Sequence, residues 1–248
     1  MNNPFSLKGK KVLVTGAASG IGRSVAVEAS KMEADVFLVD LNEEKMKETL
    51  SFMDSGNHKL FTVNLTDSKA LEKLACEMEG LDGLVNCAGV GLTLPFKFCG
   101  EEELKRVMAI NFYAPVLLTQ TLIKKKKVNK NASIVYMASI DGTVTGHIGN
   151  SIYSATKGAV LGSVRSQALE LATRGIRVNC VSPARVNTPL IKRDNISEEQ
   201  VQANMQLYPL KRYAEPQEIA YYIIYLLSNA STYTTGSNLV IDGGFTIT

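Results

Sequence analysis

Short apolar runs alternate with longer amphipathic stretches along the whole chain. "KKVLVT" (Lys10–Thr15) is apolar at successive positions, as expected of a strand covered on both faces. "IGRSVAVEASKM" (Ile21–Met32) spaces its apolar residues at helical intervals. The alternation then repeats. Strands are predicted at "DVFLVD" (35–40), "KLFTVN" (59–64), "LDGLVN" (81–86), "ASIVYMAS" (132–139), "IRVNCVSP" (176–183) and "SNLVIDGG" (237–244). Helices are predicted at 43–53, 68–79, 101–125, 151–173 and 216–228. Repeated strand–helix order with apolar strands predicts an α/β fold. The expected form is a doubly wound, mostly parallel seven-stranded sheet with helices on both faces. No linker or low-complexity tract interrupts it, so residues 1–248 are predicted to form one domain. The most irregular stretch, 188–214, is polar and broken by Pro189 and Pro209. It reads as a loop with short helices, a mobile lid over a substrate.

Composition narrows the class. The 248 residues are 45% hydrophobic, enough for one large core, and the formal net charge is only +3. That balance gives no support for nucleic acid as a partner. The basic run Lys124–Lys127 reads as a solvated helix end; a patch for an acidic carrier or phosphate-bearing substrate is the alternative. Cys76, Cys87, Cys99 and Cys180 form no CxxC pair, and neither His58 nor His147 lies at metal-ligand spacing from them. Reduced, mostly buried cysteines, no metal site and a cytoplasmic setting are expected. The N-terminus shows no signal-peptide pattern. The longest apolar run, Ile219–Leu227, is less than half of the ~20 residues that span a bilayer, so no membrane is expected as partner.

The candidate chemistry begins at "VTGAASGIG", which follows the first strand and opens the first helix. Gly16, Gly20 and Gly22 permit a tight turn, close backbone approach and close helix packing. With Ser19 and Ile21 they form a candidate diphosphate cradle at a helix N-terminus, where free N–H groups and the dipole favour anions. Asp40 ends the second strand eighteen residues beyond Gly22. A carboxylate there accepts both hydrogen bonds of an adenosine ribose diol and repels a 2′-phosphate. Its neighbour Leu41 is neutral, and Arg23 is expected to run along its helix. NAD is therefore expected, with NADP less favoured.

Tyr153 and Lys157 in "SIYSATKGAV" share one helix face, one turn apart. A YxxxK pair alone is a weak signal. Its surroundings add to it: Ser139 closes a predicted strand fourteen residues before Tyr153, and "NCAG" (86–89) ends the preceding strand at the same sheet edge.

Taken together, TGxxxGIG, NxAG, a helix Asn, Ser, YxxxK and the final "TGSNLVIDGG" resemble the short-chain dehydrogenase/reductase superfamily, in its single-domain branch with a Rossmann fold. The resemblance runs from Lys10 to Phe245. It implies an NAD(H)-dependent oxidoreductase interconverting a secondary alcohol and a ketone by hydride transfer. Tyr153 would be the general acid/base, Lys157 and the oxidised nicotinamide would both favour its phenolate, Lys157 would also hold the nicotinamide ribose, and Ser139 would bond the substrate oxygen. A free phenol at pKa ~10 would need a downward shift of roughly 2–3 units to work near neutrality. Asn111 matches the helix Asn that holds a water linking Lys to solvent; alternatively it is a polar residue satisfied at a helix kink before Pro115. By the same resemblance Asn64 and Leu65 contact adenine. Asn86, Ala88 and Gly89 flank the ribose, and Pro183, Val186 and Thr188 face the nicotinamide amide. Thr188 has the alternative role of a helix N-cap. Three departures stand out: Asn64 for Asp, Ala184 for Gly, and Glu33 where Gly usually ends the first helix.

The resemblance also implies a homotetramer, with a dimer as fallback. Substrate walls are expected at 89–98, at 140–150 and in the lid. His147 either faces substrate or stands in water as a loop histidine. A 3-oxoacyl carrier-protein reductase remains an alternative function, and a non-catalytic NAD-binding scaffold is a second.

Overall fold

Seven strands build the centre: β1 (Lys11–Thr15), β2 (Asp35–Asp40), β3 (Lys59–Thr62), β4 (Leu81–Asn86), β5 (Val128–Met137), β6 (Arg177–Pro183) and β7 (Asn238–Ile241). In the computed structural model, which describes residues 3–189 and 197–248, they pair in the order β3-β2-β1-β4-β5-β6-β7. Every pairing is parallel. The helices are α1 (Gly20–Lys31), α2 (Glu43–Ser51), α3 (Ser68–Glu77), α4 (Glu101–Met108), α5 (Ala114–Lys124), α6 (Ser151–Leu171), α7 (Glu198–Met205) and α8 (Pro216–Leu227). The doubly wound Rossmann architecture is thus the one expected from the strand–helix alternation.

Period-two alternation along β1 divides the core. Val12 and Val14 join Val25 of α1 and Ile219 and Ile223 of α8 on one face of the sheet. Leu13 joins Leu74 of α3, Leu118 of α5 and Val164 of α6 on the other. Burial on both faces explains why these strands read as unbroken apolar runs.

Several boundaries move. The helix expected over 101–125 is two helices joined by a π-turn at Ala109–Tyr113. Pro115 has no N–H to return to the Asn111 carbonyl, so regular α-helical pairing fails at that point. The composite run Glu101–Lys124 is the one stretch among the described residues with the length and apolarity of a membrane span. The apolar-run reading overlooked it. Here Val107, Leu118 and Leu122 on this run are buried within the fold.

Strand β5 begins earlier than expected, at Val128. At the end of α5 and just beyond it, Lys124, Lys125 and Lys126 are exposed, as a solvated helix end should be. Lys126 takes φ 56° to turn the chain, and Lys127 donates to the Met78 carbonyl at 2.6 Å. The cysteines are all free, but only Cys180 is buried; Cys76 is exposed and the other two are half-buried. Of the positions 188–214 read as a lid, 190–196 lie outside the described residues, and α7 forms one of the short helices expected there.

Candidate active site

The connections leaving β1 and β4 diverge, which opens a crevice beyond their carboxyl ends. The glycine turn occupies it. Gly16 and Gly20 have φ of +68° and +55°. A Cβ on Gly22 would lie 2.2 Å from the Gly16 carbonyl oxygen, and one on Gly16 would lie 2.9 Å from the Ala88 nitrogen. No larger residue fits at either place. Asn42 and Asp67 cap α2 and α3 with their side chains, whereas Ser19 makes no such bond at α1. The first N–H groups of α1 are therefore left for a ligand.

Asp40 stands at the rim. Its Oδ2 accepts from Ala18 N and its Oδ1 from Asn42 N, both at 3.1 Å, which fixes the carboxylate with lone pairs to spare. Leu41 beside it is 68% exposed. Arg23 is fastened elsewhere: its guanidinium grips Glu48 in a fork at 2.9 and 2.8 Å and donates to the Ala18 carbonyl at 2.7 Å.

Across the crevice, the Thr15 hydroxyl accepts from Ala88 N at 3.1 Å and holds the turn after β4. Ser139 lies two residues past β5, and Tyr153 and Lys157 lie on the first turns of α6. Lys157 Nζ donates to the Met137 carbonyl at 2.8 Å and sits 5.5 Å from the Tyr153 ring centroid. Burial pushes the Lys157 ammonium down to about 8. Burial likewise pushes the Tyr153 phenol up to about 12, against a hydrogen bond with Ser139 and reinforced by the Asp141 charge. The expected lowering of the tyrosine by Lys157 is therefore not a property of the chain alone. Desolvation disfavours the charged form of both groups.

A cleft of about 680 Å³ unites these groups. Every residue expected at the site lines it except Asn86 and Asn111. The Asn86 side chain turns toward α5, donating to Thr119 at 3.3 Å, because side chains alternate along β4. Cys87 takes the cleft-facing place instead. Asn111 is buried behind the wall. Its amide accepts from Val90 N at 2.8 Å and donates to Val90 O at 2.9 Å and Thr156 Oγ1 at 3.2 Å. Those bonds fit the satisfied-kink alternative, with the Asn111 amide positioning the Val90 backbone.

Asn64 lines the cleft and uses its Oδ1 to hold the backbone and hydroxyl of Thr66 at 3.1 and 2.8 Å. Thr188 lines it too, with its methyl 3.2 Å from where a Gly20 Cβ would stand; a helix following it would fall outside the described residues. Asp141 and Asn150 fall in the expected 140–150 wall and Tyr208 in the expected lid, whereas Arg185, also in the wall, was missed by the sequence reading. His147 is also in the wall while remaining 40% exposed, so the loop-in-water alternative is incomplete. Phe96 and Phe98, expected as substrate wall, are exposed outside it.

A glycine cradle, a carboxylate at the rim and a Ser–Tyr–Lys set in one crevice define a dinucleotide-dependent oxidoreductase scaffold. Comparison with known proteins agrees. A family model described as enoyl-(acyl carrier protein) reductase matches residues 16–246. Dehydrogenase/reductase SDR family member 6 of Rattus norvegicus is 32% identical, covering 97% of this chain and 99% of that one. The 3-oxoacyl-[acyl-carrier-protein] reductase FabG of Rickettsia bellii is 34% identical, covering 97% and 98%. A crystallised dehydrogenase/reductase from Sinorhizobium meliloti superposes with TM-score 0.89 at 29% identity, covering 98% and 97%. The chain belongs to the short-chain dehydrogenase/reductase superfamily, oxidoreductases that use a nicotinamide cofactor.

Proposed function

We propose that the chain is an NAD(H)-dependent oxidoreductase interconverting a secondary alcohol and a ketone. The observation that carries this reading is convergence: Ser139, Tyr153 and Lys157 line the same cleft as the glycine cradle and Asp40. The cradle fits a dinucleotide, since a Cβ at Gly22 would strike the Gly16 carbonyl and open the tight turn, and the α1 N-terminus has no side-chain cap. Gly16–Gly22 would hold the diphosphate, Asp40 the adenosine ribose, and Lys157 the second ribose. When bound, the oxidised cofactor supplies a hydride acceptor and a positive charge.

Tyr153 takes the alcohol proton as a phenolate, after its own phenol proton has been released to solvent. Its phenol rests protonated in the bare cleft, at about 12, and must be lowered by positive charge brought close to it. Ser139 fixes the substrate oxygen and stabilises charge developing there. Lys157, anchored on the Met137 carbonyl, keeps its cation under the tyrosine ring. Asp40 supports NAD over NADP, because a 2′-phosphate would meet a carboxylate while Arg23 is committed to Glu48. Free cysteines fit a cytoplasmic setting. Small residues exposed on α6 fit assembly with further copies of the chain.

The test is a panel of secondary alcohols, polyols, hydroxysteroids and 3-hydroxyacyl thioesters with NAD⁺, followed by absorbance of the reduced nicotinamide. Tyr153→Phe is expected to lose at least about 10²-fold in turnover while still binding NAD⁺. Asp40→Ala is expected to raise the use of NADP⁺ relative to NAD⁺. Unchanged turnover in the first variant overturns the proton-transfer role; an unchanged cofactor ratio in the second overturns the Asp40 assignment. Reduction of acyl thioesters is the second reading, favoured by similarity to the Rickettsia reductase. The thioester arm of the panel decides it.

A further inference from the structure

The loop joining β5 to α6 carries a side-chain pair that the proton-transfer set does not use. Asp141 is 6% exposed. One of its carboxylate oxygens accepts from Asn150 Nδ2 at 2.7 Å, and the other bonds His147 Nδ1. The Asp141 backbone N–H donates to Ser139 Oγ at 3.2 Å, so the pair is built onto the substrate-oxygen site. Gly142 follows with φ +81°, and a Cβ there would lie 1.9 Å from the Ser154 carbonyl. That close approach presses the loop against α6 next to Tyr153. The His147 ring stacks on Phe245 with centroids 5.6 Å apart, which fixes its plane. Asp141, His147 and Asn150 all line the same cleft as Ser139 and Tyr153.

The hydrogen-bond inventory fixes the chemistry. An ionised carboxylate only accepts, so the hydrogen of this contact sits on Nδ1. In the neutral ring Nε2 then holds a lone pair, and it makes no hydrogen bond among the described residues. Among the described residues it is an acceptor with a fixed direction and no protein donor. The Asp141 charge beside it disfavours a substrate carboxylate at this position.

We propose that His147, oriented by Asp141, is a specificity-determining residue that accepts a hydrogen bond from a second hydroxyl of the substrate. The preferred substrate is then a diol or hydroxyketone rather than a simple secondary alcohol. This rests on the alcohol–ketone reading of the cleft. The probes are butane-2,3-diol, as the mixture of stereoisomers, and butan-2-ol, each with NAD⁺. His147→Leu is expected to lower kcat/KM for the diol by roughly 10- to 100-fold and to leave butan-2-ol within about twofold. His147→Gln, which keeps an acceptor oxygen, is expected to recover part of the diol activity. Equal losses on both probes, or no loss on the diol, overturn the inference and leave His147 a loop-holding residue. A wild-type enzyme that binds NAD⁺ but oxidises neither probe nor any other alcohol overturns the alcohol–ketone reading, and this inference with it.

Discussion

At the scale of the residue, the decisive quantity is the desolvation of Lys157. Its ammonium is buried beside Tyr153, with one carbonyl as its partner. Burial lowers its pKa from 10.5 to about 8. Between those values the unfolded chain holds a proton that the folded chain has released, so stability rises with pH across that window. The phenol of Tyr153 acts the other way. Raised from 10.0 to about 12, it keeps its proton when folded and opposes folding only above about 10. Lys157→Met removes the first effect. The stability of wild type relative to this variant is expected to rise by about 2 kcal/mol from pH 7.5 to pH 10. Urea unfolding at the two pH values checks it; a constant difference means that the lysine is not desolvated. Backbone departures also resolve at this scale. Glu33 adopts φ 67° at the end of α1, a strain of about 1 kcal/mol that glycine would avoid. Ala184 is not among the positive-φ residues, so its substitution for glycine carries no such strain.

At the scale of the element, the π-turn between α4 and α5 sets the back wall of the cleft. It turns Asn111 inward, where the amide pairs with both polar groups of the Val90 backbone. Val90 lines the cleft one residue beyond Gly89, so the asparagine holds the cofactor-side loop in place. Asn111→Ala leaves both backbone groups without their partner. The expected loss is about 2 kcal/mol of stability together with a lower kcat. Unchanged urea stability with lost activity would place the residue in the proton path instead. The strands, the helices and the glycine cradle were legible because each has a local cause: apolar periodicity, or a backbone that only glycine can follow. The π-turn was not, since Glu101–Lys124 keeps helical composition throughout and only Pro115 hints at the break. The direction of the Asn86 side chain was not legible because motif matching carries no strand alternation. The Asp141–His147 pair was hidden because it joins loop residues whose meeting depends on the turn at Gly142. The environment of the tyrosine was hidden for a related reason: spacing shows the cation, but only the packed fold shows how dry the site is.

At the scale of the whole molecule, the question is what covers α6. Its inner face packs on the sheet through Ile152, Val160 and Val164. Its outer face leaves Ala155, Gly162 and Leu169 exposed at seven-residue intervals, with Leu169 at 80%. Residues so spaced form one stripe along a helix, and small ones let a second helix approach closely. Tyr113 and Leu117 are exposed on the neighbouring α5 segment. Tyr221 and Tyr222 of α8 and Val240 of β7 offer a second apolar face on the same chain. Two such faces on each copy fit the proposed homotetramer, and one face alone would give a dimer. Gly162 separates the assembly from the fold. A Cβ built there meets nothing within 4 Å, so the single chain accommodates a large residue, and arginine is the better helix former. Light scattering on a sizing column is expected to give four copies for wild type and fewer for Gly162→Arg, with helical circular dichroism and NAD⁺ binding retained. An intact tetramer in the variant would move the contact off α6, whereas a monomeric wild type would mean that the stripe faces water in solution as well.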